Sequence, residues 1–243
     1  MDRMIFLSMA GAKATMQRQD TLANNLANVS TPGFRAELQA FRAVPVLGSG
    51  ASTRVYALET TTGHDATPGA ITSTGRNLDV AAKGNTWLTV QALDGTEAYT
   101  RGGSLDVSND GTLTTRSGLP VMGDGGPLQV PPNTAISIGS DGVISAKSAD
   151  GKSSAVGKLK LVTPETTTTL TRGEDGLFRA ATGDLSADVN ARVQDGALEG
   201  SNVNPVEAMI SMISAARQFE AQMKLIQTAE ANEKAASQLL SAN

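Results

Sequence analysis

Two apolar stripes at helical spacing, one at each end of the chain, restrict what the chain can fold into. Ile5, Met9, Ala12, Met16, Gln19, Ala23 and Leu26 recur in alternating steps of four and three, with Gln19 the one polar member. That is the period of a helix seam and not of a strand. Met209, Met212, Ala216, Phe219, Met223 and Ile226 repeat the spacing near the other end, continued less regularly by Ala229, Ala236, Leu239 and Leu240. Matching stripes predict that the two ends lie against each other. The fold class expected is therefore α+β: a discontinuous coiled-coil helical domain from both termini, with an all-β domain inserted between them.

The helix limits are written in local chemistry. A first helix from about Arg3 to Asn28 ends before Pro32, which has no amide hydrogen and biases Thr31 toward extended backbone, while Gly33 permits the positive φ of a sharp turn and frees Phe34 to fold back on the last helical turn. Asn24, Asn25 and Asn28 form a polar ridge beside Leu22, Leu26 and Val29. Each amide both donates and accepts, so a facing surface must match it group for group, which would set register between helices. The last helix opens with Asn204 as cap, Pro205 at the first helical position and Glu207 at the capping-box site.

Between the helices the pattern changes. Residues 35–76 and 196–202 read as an extended connector, with Gly48-Ser49-Gly50 and Thr60-Thr61-Thr62-Gly63 separating short pieces, and with His64 solvated in a loop. Residues 77–195 read as all-β: short runs such as Trp87–Val90, Ser104–Val107, Ala135–Ile138 and Lys158–Val162 are punctuated by Asp-Gly pairs at Asp94, Asp110, Asp124, Asp141, Asp150, Asp175 and Asp195. Asp-Gly between alternating runs is a strong hairpin signal. The stretch Ala146–Ser153 imitates a phosphate-cradling loop, but a strand-like run follows where such a loop must open a helix, so a hairpin tip is expected.

Composition bears on function by exclusion. With no cysteine and a single histidine, neither thiolate metal sites nor the usual zinc constellations can be built, and no cofactor is expected. A net charge of -4 offers no general attraction to nucleic acid, and no stretch approaches the length of a membrane span. Residues 5–12 are too short and too weakly flanked for a cleaved signal peptide. One loop histidine lacks the partner and orienting group that catalysis needs, so the chain reads as a non-enzyme. The rival readings are a β-rich secreted hydrolase, which needs two carboxylates converging in a cleft, and a calcium adhesin, which needs an oxygen-ligand spacing that the Asp-Gly turns do not supply.

Burial of about ten seam side chains offsets little of the entropy lost in ordering about sixty helical residues. The stripes therefore call for neighbouring copies. Ala23-Asn24-Asn25-Leu26-Ala27-Asn28 with Thr31 and Gly33-Phe34-Arg35 resembles the N-terminal signature of the bacterial flagellar axial proteins, the rod and hook family. Ser201–Glu207 with Met209, Met212-Ile213, Arg217–Glu220, Lys224 and Ile226–Ala229 resembles its C-terminal signature. Thr74–Ala81, Tyr99–Arg101, Gly111–Leu113 and Gly126–Pro131 extend the likeness through the middle, and Met1–Phe6, Ser8–Ala12 and Glu230–Glu233 are most similar to proximal-rod members. Thr86 stands where relatives usually carry glycine, and Trp87 and Leu88 where they carry paired phenylalanines.

The resemblance implies a structural subunit of the periplasmic rod, exported through the flagellar type III apparatus without a cleaved signal. Its partners would be copies of itself and other rod proteins, with no membrane insertion, and its β domain would lie outside an α-helical tube. The residues expected at the assembly interface are Ile5, Met9, Met16, Leu22, Asn24, Asn25, Leu26, Asn28, Gly33, Phe34, Asn202, Asn204, Met209, Met212, Arg217, Phe219, Met223 and Ile226.

Overall fold

Helix-forming and helix-ending residues act where their chemistry says they should. In the computed structural model, which describes residues 2–45, 55–132, 134–148, 152–165 and 168–241, helix α1 spans Asp2–Ala27 and helix α2 spans Pro205–Ser241. The Asn204 carboxamide oxygen accepts from the Val206 and Glu207 amides at 3.1 and 3.4 Å, satisfying two of the free donors at the start of α2. Gly33 has the expected positive φ, +71°. The loop at 46–54, the hairpin tip at 149–151 and the side chains of Leu239 and Leu240 lie outside the described residues.

The chain divides into two compact units, Met1–Val29 with Ala36–Asp65 and Val203–Asn243, and Ser30–Arg35 with Ala66–Asn202. The first holds α1, α2 and a β-ribbon where an extended connector was expected. Strands β1 (Glu37–Pro45) and β2 (Val55–His64) pair antiparallel from Glu37 opposite His64 to Pro45 opposite Val55, with an irregularity between Leu38 and Gln39. His64 thus ends a strand instead of sitting in a loop. The ribbon escaped the sequence pattern because no Asp-Gly pair stands between its strands, and it lies against α1, with Val44, Tyr56, Ala57 and Leu58 on one side of a cleft and Ala10, Lys13, Ala14 and Gln17 on the other.

Helices α1 and α2 pack side by side, and the expected stripes are covered only in part. On α2, Met212, Ala216, Phe219, Ile226, Ala229 and Ala236 are at least half-buried, Ala208 and Ala215 beside the stripe are buried, and Met209 and Met223 are exposed. On α1, Ser8, Ala12, Ala14 and Asn25 are buried and Met9 and Met16 are exposed. Close approach explains the difference. A Cβ placed on Gly11 would come within 3.1 Å of the Gln222 carboxamide, so at this level the helices are close enough to favour small residues between them, and Met9 and Met16 on either side face outward.

The second unit carries the only large core among the described residues. Strands Leu161–Val162, Trp87–Gln91, Glu97–Thr100, Phe178–Ala180 and Leu170–Arg172 form, in that order, a five-stranded antiparallel sheet. Both faces of its second strand are buried. Leu88 and Val90 join Val80, Leu105, Leu113, Val121, Ile144 and Leu161 on one side, and Trp87 joins Tyr99, Val162, Leu170 and Phe178 on the other. Trp87 and Phe178 stand 4.7 Å apart between centroids, tilted by 57°.

A three-stranded sheet (Ala135–Ile138, Val143–Lys147, Ser153–Lys158) and several two-stranded ribbons complete this unit. Most described Asp-Gly pairs turn hairpins. The pair at Asp195 does not: Val193–Asp195 pairs with Val80–Ala82, and Ala197–Glu199 pairs with Ile71–Ser73. There the glycine kinks one chain between two different ribbons. Residues 66–76 and 196–202, expected in the connector, belong to this β unit.

Candidate assembly interface

Among the described residues the helical unit buries no large apolar side chain. Its buried apolar residues there are Ala12, Ala14, Ala208 and Ala215. Of the seventeen large apolar side chains left exposed among the described residues, thirteen belong to it: Phe6, Met9 and Met16 on α1, Leu38, Phe41, Val55 and Leu58 on the ribbon, and Val206, Met209, Ile210, Ile213, Met223 and Leu225 on α2. Contiguous exposed apolar surface marks a surface of association. Of the expected interface residues, Met9, Met16, Met209, Met223 and Arg217 are exposed, as are Asn24 and Asn204, whereas Ile5, Leu22, Leu26, Met212, Phe219 and Ile226 are half-buried within the unit.

The asparagine ridge is divided in its roles. Asn25 is buried, and its carboxamide grips the start of β1: Nδ2 donates to the Glu37 carbonyl at 3.0 Å and Oδ1 accepts from the Glu37 amide at 2.9 Å. One side chain thereby mimics a strand partner and sets the register between α1 and the ribbon. Asn28 turns back on its own helix, donating to the Asn24 carbonyl at 3.0 Å and to the Asn24 side chain at 3.2 Å. The register that these amides were expected to set between helices is, at Asn25, a register between helix and strand.

Gly33 and Phe34 lie in the β unit. A Cβ on Gly33 would fall 2.2 Å from the Arg101 carbonyl carbon, so both the left-handed backbone and the close approach demand glycine. Phe34, expected to fold back on the helix, is instead buried in this unit with the Arg172 guanidinium 4.6 Å from its ring centroid. Asn202 sits beside the turn, its amide donating to the Phe34 carbonyl at 3.3 Å and its Nδ2 to the Thr67 carbonyl at 3.0 Å.

Under this turn lies a buried charge cluster. Glu199, 1% exposed, holds Arg35 at 2.7 Å and the Gly69 amide at 3.0 Å on one carboxylate oxygen. On the other it accepts from Arg101 Nε at 2.8 Å and from Arg101 Nη2. Other guanidinium donors reach backbone carbonyls: Arg35 to Thr67, and Arg101 to Ala82, Gly84 and Thr86. Arg101 also stands over the Trp87 ring, 5.8 Å from its centroid. Two cations share one anion, and carbonyl dipoles receive most of the donors left over, which lowers the cost of taking three charges out of water. Sequence reasoning passed over this cluster as a unit, although each member falls within or beside a stretch that carries the family likeness.

Elsewhere the carboxylates do the work of turns. Thr96 holds the Asp94 carboxyl below its ordinary value through its hydroxyl and then its amide; Ser108 and then Thr112 do so at Asp110, Arg179 at Asp175, and Thr163 and then the Asn190 amide at Asp188. The two buried carboxylates among the described residues, Asp79 and Glu199, are each paired with arginine. Burial raises the Tyr99 phenol, whose oxygen accepts from the Leu185 amide at 2.7 Å. Among the described residues no three acidic, histidine or cysteine side chains gather as a metal site, and no helix is long and apolar enough to cross a membrane.

Three family models match the chain: flagella basal body rod protein over residues 7–35, the flagellar hook protein FlgE/F/G D1 domain over residues 81–146, and the flagellar basal body rod FlgEFG protein C-terminal region over residues 194–239. The chain is 47% identical to the flagellar basal-body rod protein FlgF of Salmonella typhimurium and 47% identical to that of Escherichia coli, each alignment covering 99% of both chains. It is 31% identical to the flagellar basal-body rod protein FlgG of Bacillus subtilis, over 94% of this chain and 95% of the relative. With both helical ends and the β unit matched, and the likeness running from end to end, the chain belongs to the flagellar basal-body rod proteins and is most like FlgF.

Proposed function

We propose that this rod protein polymerises through its terminal helices into the proximal part of the flagellar drive shaft. As a member of its family it is a structural protein and not an enzyme. The observation that carries the assembly reading is the mismatch inside the helical unit, where among the described residues the only buried apolar side chains are alanines while thirteen large ones are exposed. At roughly 25 cal/mol per Å² of apolar surface removed from water, covering such a face is a large favourable term. Copies of the same chain and other rod proteins, carrying like stripes, are the occupants that fit.

In this reading the terminal helices form one discontinuous coiled-coil domain that lines the shaft, and the β unit is an insertion on its outside. Asn24, Arg217, Met9, Met16, Met209 and Met223 are its contact residues toward neighbours, and Ile5, Leu22, Leu26, Met212, Phe219 and Ile226 hold the helix pair in shape to present them. The subunit reaches the periplasm through the flagellar export apparatus, without a cleaved signal peptide. Identity of 47% to two FlgF relatives, against 31% to the FlgG relative, favours a proximal over a distal position.

The test is substitution on the exposed face. Met209→Glu and Ile213→Glu should leave the melting curve of the dilute protein unchanged and abolish swimming, with no rod in isolated basal bodies. Normal rods containing either variant would overturn the assembly reading.

A further inference from the structure

The chain passes between the two units at four places, after residues 29, 35, 65 and 202. Within the β unit, the segments that lead to all four passages are bonded to one another. Ser30–Arg35 is held by the Gly33 amide donating to the Glu199 carbonyl at 2.8 Å and by Arg35 on the Glu199 carboxylate at 2.7 Å. The segment after 65 is held by Arg35 on the Thr67 carbonyl and by the Gly69 amide on Glu199 at 3.0 Å. The segment before 203 contains Glu199 itself, and Asn202 bonds both Phe34 and Thr67. Gly69 approaches Gly200 so closely that a Cβ on it would lie 2.1 Å from the Gly200 carbonyl oxygen.

Two side chains connect this junction to the sheet: Phe34, under the Arg172 guanidinium, and Glu199. Through its second carboxylate oxygen Glu199 grips Arg101, which follows a strand of the five-stranded sheet and fans onto the carbonyls of Ala82, Gly84 and Thr86 beside Trp87. We infer that Glu199 is a coupling residue: its carboxylate and main-chain carbonyl tie the segments that lead to all four chain passages to the sheet of the β unit, so that force arriving along those segments is carried into the sheet through Glu199. The role builds on the proposed shaft assembly, since only a subunit under torque needs it, but the bonding that defines it is a property of the single chain.

This role differs from that of an ordinary core member. A core residue stabilises the whole β unit, whereas a coupling residue holds the passages and can be loosened while the sheet stays folded. A glutamine at this site keeps the shape but turns two donors toward arginines that already donate.

The test is amide hydrogen exchange on the full-length monomeric chain carrying Glu199→Gln, with Arg35→Lys as a second variant that retains the charge but cannot reach Glu199 and Thr67 together. Exchange at Gly33, Gly69 and Asn202 should rise at least about tenfold, while Val90, Ala98 and Leu113 in the sheet remain as protected as before. Unchanged exchange at the three passages in both variants, or an equal rise in passages and sheet, would overturn the coupling role. Swimming cells that carry Arg35→Lys then separate the two readings. Rods that assemble but transmit less torque under viscous load fit coupling; a lack of rods with normal exchange would count against coupling while leaving assembly through the helices intact.

Discussion

At Asn25 a carboxamide takes the place of a peptide group, giving and accepting one hydrogen bond to Glu37. Asn25→Ala should therefore cost about 2 kcal/mol, two net hydrogen bonds, and release protection of the Glu37 amide, while Asn24→Ala should stay within about 0.5 kcal/mol; urea titration of the dilute chain measures both. Gly33→Ala combines a left-handed backbone with a contact of 2.2 Å to the Arg101 backbone. The first alone costs about 1–2 kcal/mol, and the second forces the turn off the sheet, so loss of the β unit's cooperative unfolding is expected.

The turn aspartates set the acid response. Their carboxyls lie below the ordinary 3.8 because hydroxyls, amides and Arg179 stabilise the ionised form. A depressed carboxyl contributes stability that is complete above its unfolded value and is lost as pH falls through the folded one. The urea midpoint of the β unit should be level from pH 7 to about 5 and fall below pH 3.8; a midpoint that rises on acidification would contradict the assignment.

At the level of the element, the two helices show that a stripe and the face it buries need not coincide. The stripe was legible, but its buried members are small, Ala12 on α1 with Ala208 and Ala215 beside the stripe on α2, while Met212, Phe219 and Ile226 are half-buried and Met9, Met16, Met209 and Met223 face outward. Where helices come this close, the residues buried outright are the small ones. Phe219 is half-buried at one of the covered positions, so Phe219→Asp should place an unpaired charge in the seam, lower α-helical circular dichroism and leave the β unit folded. At exposed Met223 the same substitution should leave the dilute chain's circular dichroism unaltered and block incorporation into rods. The β1–β2 ribbon went unread because the sequence between its strands carries no Asp-Gly pair, and the Asp195-Gly196 pair misled because a local turn signal does not say which strand will be the partner.

In the whole molecule, stability is unevenly divided. The β unit buries Trp87, Leu88, Tyr99, Leu105, Leu113, Ile144, Leu159 and Leu161, whereas among the described residues the helical unit buries no apolar residue larger than alanine. Calorimetry of the dilute chain should accordingly resolve two transitions, with helical signal lost at the lower temperature and the sheet persisting to the higher. Assembly would raise the lower one by mass action, since neighbours bind only the ordered helices. A single transition at all concentrations would contradict an independently folding β unit.

By itself the sequence settled what depends on neighbours along the chain: both helices with their Asn204-Pro205 start and Pro32-Gly33 end, the Asp-Gly hairpins, and the family to which the paired terminal signatures belong. These are effects of backbone torsion and of hydrogen bonds spanning a few residues, so local order suffices to specify them. Tertiary structure decided the rest: which helix face is covered, that Asn25 serves a strand, that Phe34 sits beneath Arg172, and that Arg35, Arg101 and Glu199 meet. Those outcomes depend on how closely segments far apart in sequence approach. Whether a charge can be buried, or a methionine accommodated, is fixed only by the atoms that arrive beside it.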